Sequence, residues 1–323
     1  MANYNKVFDQ KQYLSVANKA AEYFLERGKS QHIPLIVCDV PDAKQYTYIS
    51  FNEPRGTESG IEWVSSGAKM SVRSNWETFD LLTFQGLIQI SNRDIANFGA
   101  SFIADKHEAE IGKLVYDVDY GMFHGPKDKN GDQLQEGLIG MLTSSIDLSS
   151  ANGHDVSTKG EIWHTLRDLM EEIPFAIREQ GPDMVLYINE KCYSEASAPD
   201  RIYNDKVEWN FIYDQFIGPQ AIHGRKIGTV VITNMINAEA SDNTDGNNAD
   251  TVDTLGTHGR MLLLVPDKRW VARVISRGFS LIGEEQHMLH VDQLYGFRGR
   301  CIPFVRGATT GNAAVRYTEG LTF

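Results

Sequence analysis

The sequence predicts an α+β fold, from three observations. One long apolar stripe with helical period covers residues 92 to about 117. Runs rich in β-branched and aromatic residues come before it and are typical of strands. The C-terminal third, from Met261 onward, again alternates apolar and polar residues, which favours strands. A chain of 323 residues is long enough for one large domain or two ordinary ones.

An N-terminal arm with one helix is predicted over residues 1–43. Apolar residues recur there at helical spacing and stop near Gly28. They are Tyr13, Val16, Ala17, Ala20, Ala21, Phe24 and Leu25. The pattern leaves open whether this helix packs on its own domain or reaches a neighbouring molecule.

An extended hairpin is predicted over residues 44–77. Residues 46–51 alternate and form one strand, residues 52–60 are rich in turn formers, and residues 61–73 form the returning arm. Each arm of ~12 residues would be about 40 Å long. Because a two-stranded hairpin is marginal in water, it needs a second surface. That surface is either the chain's own core or a neighbouring molecule.

A strand, the long helix and a glycine-rich loop are predicted in that order between residues 77 and 142. The strand covers residues 79–90, and the helix follows it directly. Glycines from Gly121 to Gly140 mark the loop, because they interrupt a helical pattern.

The second half of the chain is predicted to combine one broken helix with buried strands. The helix covers residues 158–180, and Pro174 is expected to kink it or end its first part. Residues 184–188 are a continuous apolar run, typical of a central strand covered on both faces, and residues 228–233 are interpreted in the same way. Later strands are predicted at residues 261–265, 270–275, 279–282, 287–295 and 300–306.

This order of elements resembles the major capsid proteins of tailed double-stranded DNA viruses, the Hong Kong 97-like family, which includes the encapsulins. The residues that carry the resemblance are Asp117-Val-Asp-Tyr-Gly-Met-Phe-His-Gly125, Glu136-Gly-Leu-Ile-Gly140, Trp163 and Gly181-Pro-Asp-Met-Val-Leu-Tyr-Ile-Asn189. Each motif alone is loose, but their order is specific, and the resemblance covers nearly the whole chain.

The resemblance implies a Hong Kong 97-like capsid fold with four parts. These are an N-terminal arm (1–43), an extended hairpin loop (44–77), a peripheral domain with a long spine helix (78–146 and 275–300), and an axial domain (147–274 and 301–323). In this family the extended loop lies over the adjacent subunit, which favours the intermolecular alternative for the hairpin.

The resemblance also implies a function. The chain would be a structural major capsid protein that self-assembles through pentamers and hexamers into an icosahedral shell around double-stranded DNA. Scaffolding, portal and decoration proteins would be further partners, and no enzyme activity is expected. The alternative is an encapsulin-type compartment that stores a cargo enzyme. An α/β enzyme is a third class, disfavoured because no recognisable catalytic motif is present.

Charge and composition agree with a shell protein. The net charge of -12 argues against a dedicated nucleic-acid-binding module, which is normally basic. A shell need only enclose a genome that its own counterions neutralise. No apolar run approaches the ~18 residues of a membrane span, and residues 1–13 lack the pattern of a secretory signal. We therefore expect no membrane contact and a chain that stays in the cytoplasm where it is made. The resemblance implies assembly in the host cytoplasm and residence in the virion capsid.

No catalytic, cofactor-binding or metal residue is assigned. The sequence contains no G-x-S-x-G, no G-x-x-x-x-G-K-[ST] and no H-E-x-x-H. His287 and His290 are three apart in a predicted strand, where they would face opposite sides. Asp117 and Asp119 are two apart and do not share a helical face. A solvated pair at the helix end is expected for these two aspartates.

Residues 240–250 resemble half of a calcium loop. Asn243, Asp245 and Gly246 take its third, fifth and sixth places, but the first acidic ligand and the Glu at the twelfth place are missing. A mobile polar loop near a capsomer axis is therefore favoured over a calcium site. The chain also has three cysteines far apart, without CxxC spacing, and buried or inert thiols are expected. They are Cys38, Cys192 and Cys301.

Overall fold

The computed structural model describes residues 28–39, 43–51, 74–91, 97, 105, 109, 112–127, 132–142, 146–147, 160–200, 206–237, 258–286, 292–305, 314–319 and 321–322. The strands are β1 (Leu35–Val37), β2 (Gln45–Phe51), β3 (Ser74–Asp80), β4 (Leu82–Ser91), β5 (Ile146–Asp147), β6 (Met184–Ile188), β7 (Pro199–Asp200), β8 (Lys206–Val207), β9 (Ile227–Ile232), β10 (His258–Gly259), β11 (Met261–Leu264), β12 (Val271–Gln286), β13 (Asp292–Val305), β14 (Val315–Glu319) and β15 (Leu321–Thr322). The helices are α1 (112–124), α2 (Glu161–Glu172), α3 (Phe175–Gln180), α4 (Glu190–Ser197) and α5 (Glu208–Ile212). A 3-10 turn covers Lys29–His32, and a π-helical turn covers Tyr213–Ile217.

One sheet has five strands in the order β5-β14-β11-β6-β9. β6 pairs with β11 on one side and β9 on the other, and all five of its residues are buried. Its side chains alternate between two buried clusters, one containing the apolar face of α2 and the other containing Phe123 of α1. The prediction of a central strand covered on both faces is therefore confirmed for residues 184–188.

The prediction that residues 228–233 form a second central strand covered on both faces is wrong for β9. Among the described strands it lies at the edge of the five-stranded sheet, and only two of its residues, Ile227 and Val231, are buried. Gly228 and Ile232 are exposed. A short apolar run does not by itself show whether strands pair on both sides, and pairing decides the burial.

The predicted break at Pro174 is confirmed. α2 ends at Glu172, and α3 begins at Phe175 with Pro174 as its N-cap residue. Proline has no amide hydrogen and disfavours helical backbone at the residue before it, and Ile173 is indeed extended. The apolar face of α2 packs on the sheet through buried Ile162, Leu166, Leu169 and Met170.

A second sheet has four strands in the order β1-β12-β13-β4. Four short strands were predicted where the structure has two long ones, β12 and β13. Their ladder has register shifts between Ile275 and Arg277, between Arg277 and Ser280, and between Leu281 and Glu284. Each bulge moves the alternation by one residue, so a continuous strand resembles several short ones in sequence. Residues 287–291, which include His287 and His290, lie outside the described residues.

The strand predicted at residues 79–90 changes partner at Leu81. β3 pairs with β2 up to Asp80, and β4 then pairs with β13. Leu81 between them is buried and donates its amide to the Lys44 carbonyl at 2.7 Å. The hairpin therefore closes through residues 74–80. The returning arm predicted at residues 61–73 lies outside the described residues.

The long helix ends later than predicted. Asn97, Asp105 and Ala109 are helical, as expected, but α1 continues beyond Asp117 to residue 124 and includes Gly121. Burial of Met122 and Phe123 in the core outweighs the low helix propensity of this glycine.

The glycine-rich loop begins at Gly125, which has a φ of +95°. The loop returns to the end of α1, where Leu138 and Ile139 donate their amides to the carbonyls of Met122 and Phe123 at 2.8 and 2.9 Å. These bonds satisfy carbonyls that a helix end leaves without intrahelical partners.

Candidate assembly surface

The surface around the β2–β3 ribbon is the first candidate for contact with other molecules. β2 and β3 form a separate two-stranded sheet with seven residue pairs, from Gln45 opposite Asp80 to Phe51 opposite Ser74. The described ladder is about 20 Å long. A ribbon of two strands has no second layer of its own, so its free length needs another surface.

The base of the ribbon is fixed to the four-stranded sheet. Tyr46 and Phe79 pack against the buried cluster of Leu81, Ala272 and Val274. The opposite face of the base is polar and exposed. There the Gln45 amide donates to Asp80 at 2.9 Å, and the hydroxyls of Thr47 and Thr78 are 3.3 Å apart. One end of the ribbon is therefore anchored, and the anchoring apolar face is distinct from the polar face.

Asp119 corrects the expectation of a solvated pair at the helix end. Asp119 lies within the span of α1 and not at its end, and it is only 2% exposed. It accepts hydrogen bonds from the Lys29 amide at 2.5 Å, the Ser30 amide at 3.2 Å and the Ser30 hydroxyl at 2.5 Å. Asp117 is exposed, as expected. The buried carboxylate therefore binds the turn at which the N-terminal segment joins the described body.

A residue of the five-stranded sheet also binds the turn at residues 28–33. Tyr187 of β6 donates its hydroxyl to the Lys29 carbonyl at 3.1 Å, and its ring contacts Phe123 edge-on with centroids 5.2 Å apart. Residues 28–33, α1 and β6 thus meet at one buried junction, which we call the Asp119 junction.

Burial controls the electrostatics of the Asp119 junction. Desolvation raises the pKa of Asp119, against the opposing hydrogen bonds from Ser30 and Lys29 and the charge of Arg273. Desolvation also raises the pKa of Tyr187, and the Asp119 charge adds to that rise. The pKa of His32 is lowered by burial and by the charges of Lys29 and Arg273. These shifts fit a structural junction in which the phenol stays protonated.

Sequence reasoning missed the role of Asp119, although one signal was present. Val115, Asp119, Met122 and Phe123 have the i, i+4, i+7, i+8 spacing of one helix face. An acid within an apolar stripe indicates a buried carboxylate with a specific partner, because an unpaired buried charge is very unfavourable.

Two exposed apolar side chains, one on α3 and one in the loop before β9, are a second candidate for contact with other molecules. Phe175, on α3, is 64% exposed, and Ile222, in the loop before β9, is 71% exposed. His223 donates a ring N–H to the Glu179 carbonyl at 3.0 Å, so the loop is fastened to α3. The guanidinium of Arg178 lies 5.8 Å from the centre of the Phe175 ring. Large apolar side chains at this exposure are available to a partner surface.

The other candidates from the sequence are the cysteines and the loop that resembles half of a calcium site, and only some of these residues are described. Cys192 is fully buried, and burial raises its pKa to about 12, whereas Cys38 is half-buried. Residues 240–250 lie outside the described residues. Over the part of the chain that is described, no cluster of three or more metal-ligating side chains occurs. Within the same part, no helix is both long and apolar enough to cross a membrane.

Comparison with known proteins gives a match in structure and none in sequence. No family model matches the chain, and no curated protein matches it. The virus-like particle from Pyrococcus furiosus matches with a TM-score of 0.58 at 11% identity, over 95% of this chain and 100% of that chain. The capsid of Myoviridae phage XM1 matches with a TM-score of 0.58 at 13% identity, over 90% of each chain. The holo-SrpI encapsulin complex from Synechococcus elongatus matches with a TM-score of 0.53 at 10% identity, over 90% of this chain and 85% of that chain.

This chain has the Hong Kong 97-like capsid fold. The α+β class and the resemblance drawn from the sequence are confirmed at the level of the fold. At identities of 10–13% the likeness shows the Hong Kong 97-like fold alone. The division into arm, hairpin loop, peripheral domain and axial domain stays a prediction.

Proposed function

We propose that this protein is the structural subunit of a closed icosahedral shell. The first candidate is a major capsid protein, whose pentamers and hexamers enclose double-stranded DNA. One observation carries the proposal: the chain matches the phage XM1 capsid over 90% of both chains. The subunit acts by repeated contact with copies of itself, because symmetry closes many modest interfaces into one stable assembly.

The β2–β3 ribbon supports self-association. Its base is anchored at Tyr46 and Phe79, and the described ladder continues to the pair of Phe51 and Ser74. The intervening residues 52–73 are assigned to an adjacent subunit in this proposal. Assembly interfaces of obligate type bury about 2,000–5,000 Å² in total, and an extended loop is an efficient way to provide such area.

A deletion tests this role of the loop. Residues 52–73 are replaced by Asn-Gly, which fits a two-residue turn between the paired residues Phe51 and Ser74. We expect the variant subunit to keep its circular dichroism and urea midpoint while losing shells in electron microscopy. The opposite result, a less stable subunit that still forms shells, would assign the loop to the subunit's own body.

The shell itself is tested on the intact chain. Light scattering and electron microscopy of the purified protein at high concentration should show capsomers or shells. A strictly monomeric protein under those conditions overturns the proposal.

An encapsulin-type compartment is the second candidate, because the holo-SrpI encapsulin complex also matches over 90% of this chain. The two candidates differ in what the particle contains. Particles isolated from their source should contain nuclease-protected DNA if the protein is a viral capsid. A co-purified protein cargo without protected DNA would establish the compartment. Neighbouring genes for a terminase and a portal would favour the virus.

A further inference from the structure

One face of α1 is covered by other parts of the chain near the C-terminal end of the helix, and the same face is exposed nearer to the N-terminal end. Asp119 and Phe123, one turn apart, are both buried, and the chain at residues 28–33 belongs to the same junction and core. On the same face, Tyr116 is 55% exposed. A side chain at Gly112 would meet no described atom within 4 Å. The i, i+3 and i+4 spacing places Gly112 and Tyr116 in line with Asp119.

The covering chain begins next to the open part. The Lys29 and Ser30 amides are bonded to Asp119, and Asp119 lies one turn of α1 from Tyr116. The segment that precedes Gly28 therefore starts about one helical turn from the open face.

The length of the connection limits where the N-terminal stripe can go. Leu25 is three residues from Gly28, and three residues span at most about 11 Å. The C-terminal end of the apolar stripe must therefore lie near the Asp119 junction of its own chain. A helix over residues 13–25 would be about 18 Å long, close to the about 21 Å along the long helix from Asp119 back to Asp105.

The chemistry of the two faces is also complementary. The stripe from Tyr13 to Leu25 is aromatic and aliphatic, with alanines that permit close helix approach. The open face offers the Tyr116 ring, which stacks on Tyr120 with centroids 6.4 Å apart, and the bare backbone at Gly112. Burying an aromatic side chain against such a face is favourable because it removes apolar surface from water.

We propose that the apolar stripe of residues 13–25 docks on the Gly112–Tyr116 face of α1 in the same chain. The docked helix extends the contact that begins at the Asp119 junction. The stripe itself is then not available to a neighbouring subunit. This contact lies within one chain, so it does not depend on the proposed shell function.

Cysteine pairing in the full-length chain tests the contact. Ala21, Phe24 and Leu25 are each changed to Cys in combination with Tyr116→Cys. The matched control combines the same three changes with Asp117→Cys, because Asp117 is exposed on the same helix about 100° away. Disulfides are formed under mild oxidation and mapped by mass spectrometry, since they require Cα atoms within about 7 Å.

At least one pair with Tyr116→Cys is expected to form an intrachain disulfide 10-fold or more faster than its Asp117→Cys counterpart. Equal rates, or no disulfide in any pair, overturn the proposal. The remaining possibility is that the stripe docks on a neighbouring copy. It is tested by mixing chains that carry only Phe24→Cys with chains that carry only Tyr116→Cys. Covalent dimers from that mixture would assign the stripe to a neighbouring copy and also overturn it.

Discussion

Removing the Asp119 carboxylate is expected to loosen the segment at residues 28–33. Ser30 is fully buried and donates both its amide and its hydroxyl to this side chain. In Asp119→Asn one acceptor oxygen becomes an NH2 group, so at least one donor loses its partner. A hydrogen bond to a charged group contributes about 1.5–3 kcal/mol. We expect the free energy of local opening to fall by about 2 kcal/mol, which accelerates exchange of the Ser30 amide about 30-fold.

Hydrogen exchange read by mass spectrometry on peptides that cover residues 28–33 measures this effect. The matched control is Asp117→Asn, which removes an exposed carboxylate two residues away on the same helix. Exchange in the control should stay within about twofold of the parent protein, since surface changes are usually worth less than 0.5 kcal/mol. If Asp119→Asn and the control exchange at the same rate, the carboxylate does not hold the segment and the reasoning fails.

The pH dependence of the exchange rates can be predicted in direction for the same pair of proteins, Asp119→Asn and the parent. Burial is the largest influence on Asp119 and raises its pKa in the folded state. A raised carboxyl pKa means that the folded state binds the proton more tightly than the opened state. The resulting stabilisation is full below the ordinary carboxyl pKa and is lost as the pH rises through the raised value. The ratio of exchange rates between Asp119→Asn and the parent should therefore be larger at acid pH than at neutral pH. A ratio that shrinks on acidification would show that hydrogen bonds, not burial, dominate this carboxylate.

Two further predictions concern the glycine-rich loop and the thiols. Gly137→Ala would place a Cβ 2.2 Å from the Gly125 amide nitrogen, so it should lower the free energy of unfolding by about 3 kcal/mol in urea titration of the unassembled subunit. Gly140→Ala would place a Cβ no nearer than 3.3 Å to any described atom, the nearest being the Glu136 Cβ, and should change that free energy by less than about 1 kcal/mol; equal effects would contradict the backbone contact. Cys192, with a pKa of about 12, is about one part in ten thousand thiolate at pH 8 and should resist iodoacetamide in the folded protein, whereas half-buried Cys38 should react first. Peptide mapping that finds Cys192 alkylated as fast as Cys38 would show that its burial is wrong.

Local patterns predicted several elements well. The apolar run at residues 184–188 and the proline break between α2 and α3 both follow from neighbouring residues, and the structure confirms both. Strand bulges are less visible, because a shift of one residue in β12 breaks the alternation that identifies a strand. The candidate surface could be predicted only in outline. β2 includes the strand predicted at residues 46–51, but its partner is residues 74–80, later in the chain than the returning arm predicted at residues 61–73.

The sequence alone determined that residues 184–188 form a central strand, where Pro174 interrupts a helix, and that one long helix precedes a glycine-rich loop. Those features depend on residues close together in the chain, so periodicity and backbone preferences reveal them. Only the tertiary structure decided that α1 continues to residue 124, that β9 is an edge strand and that Asp119 is buried. Each of these depends on a distant partner: the loop at Leu138 that caps α1, the pairing of β6 with β9, and the turn at Ser30 that covers the carboxylate. Burial and pairing between distant segments stabilise a residue in a state that its own neighbours do not indicate.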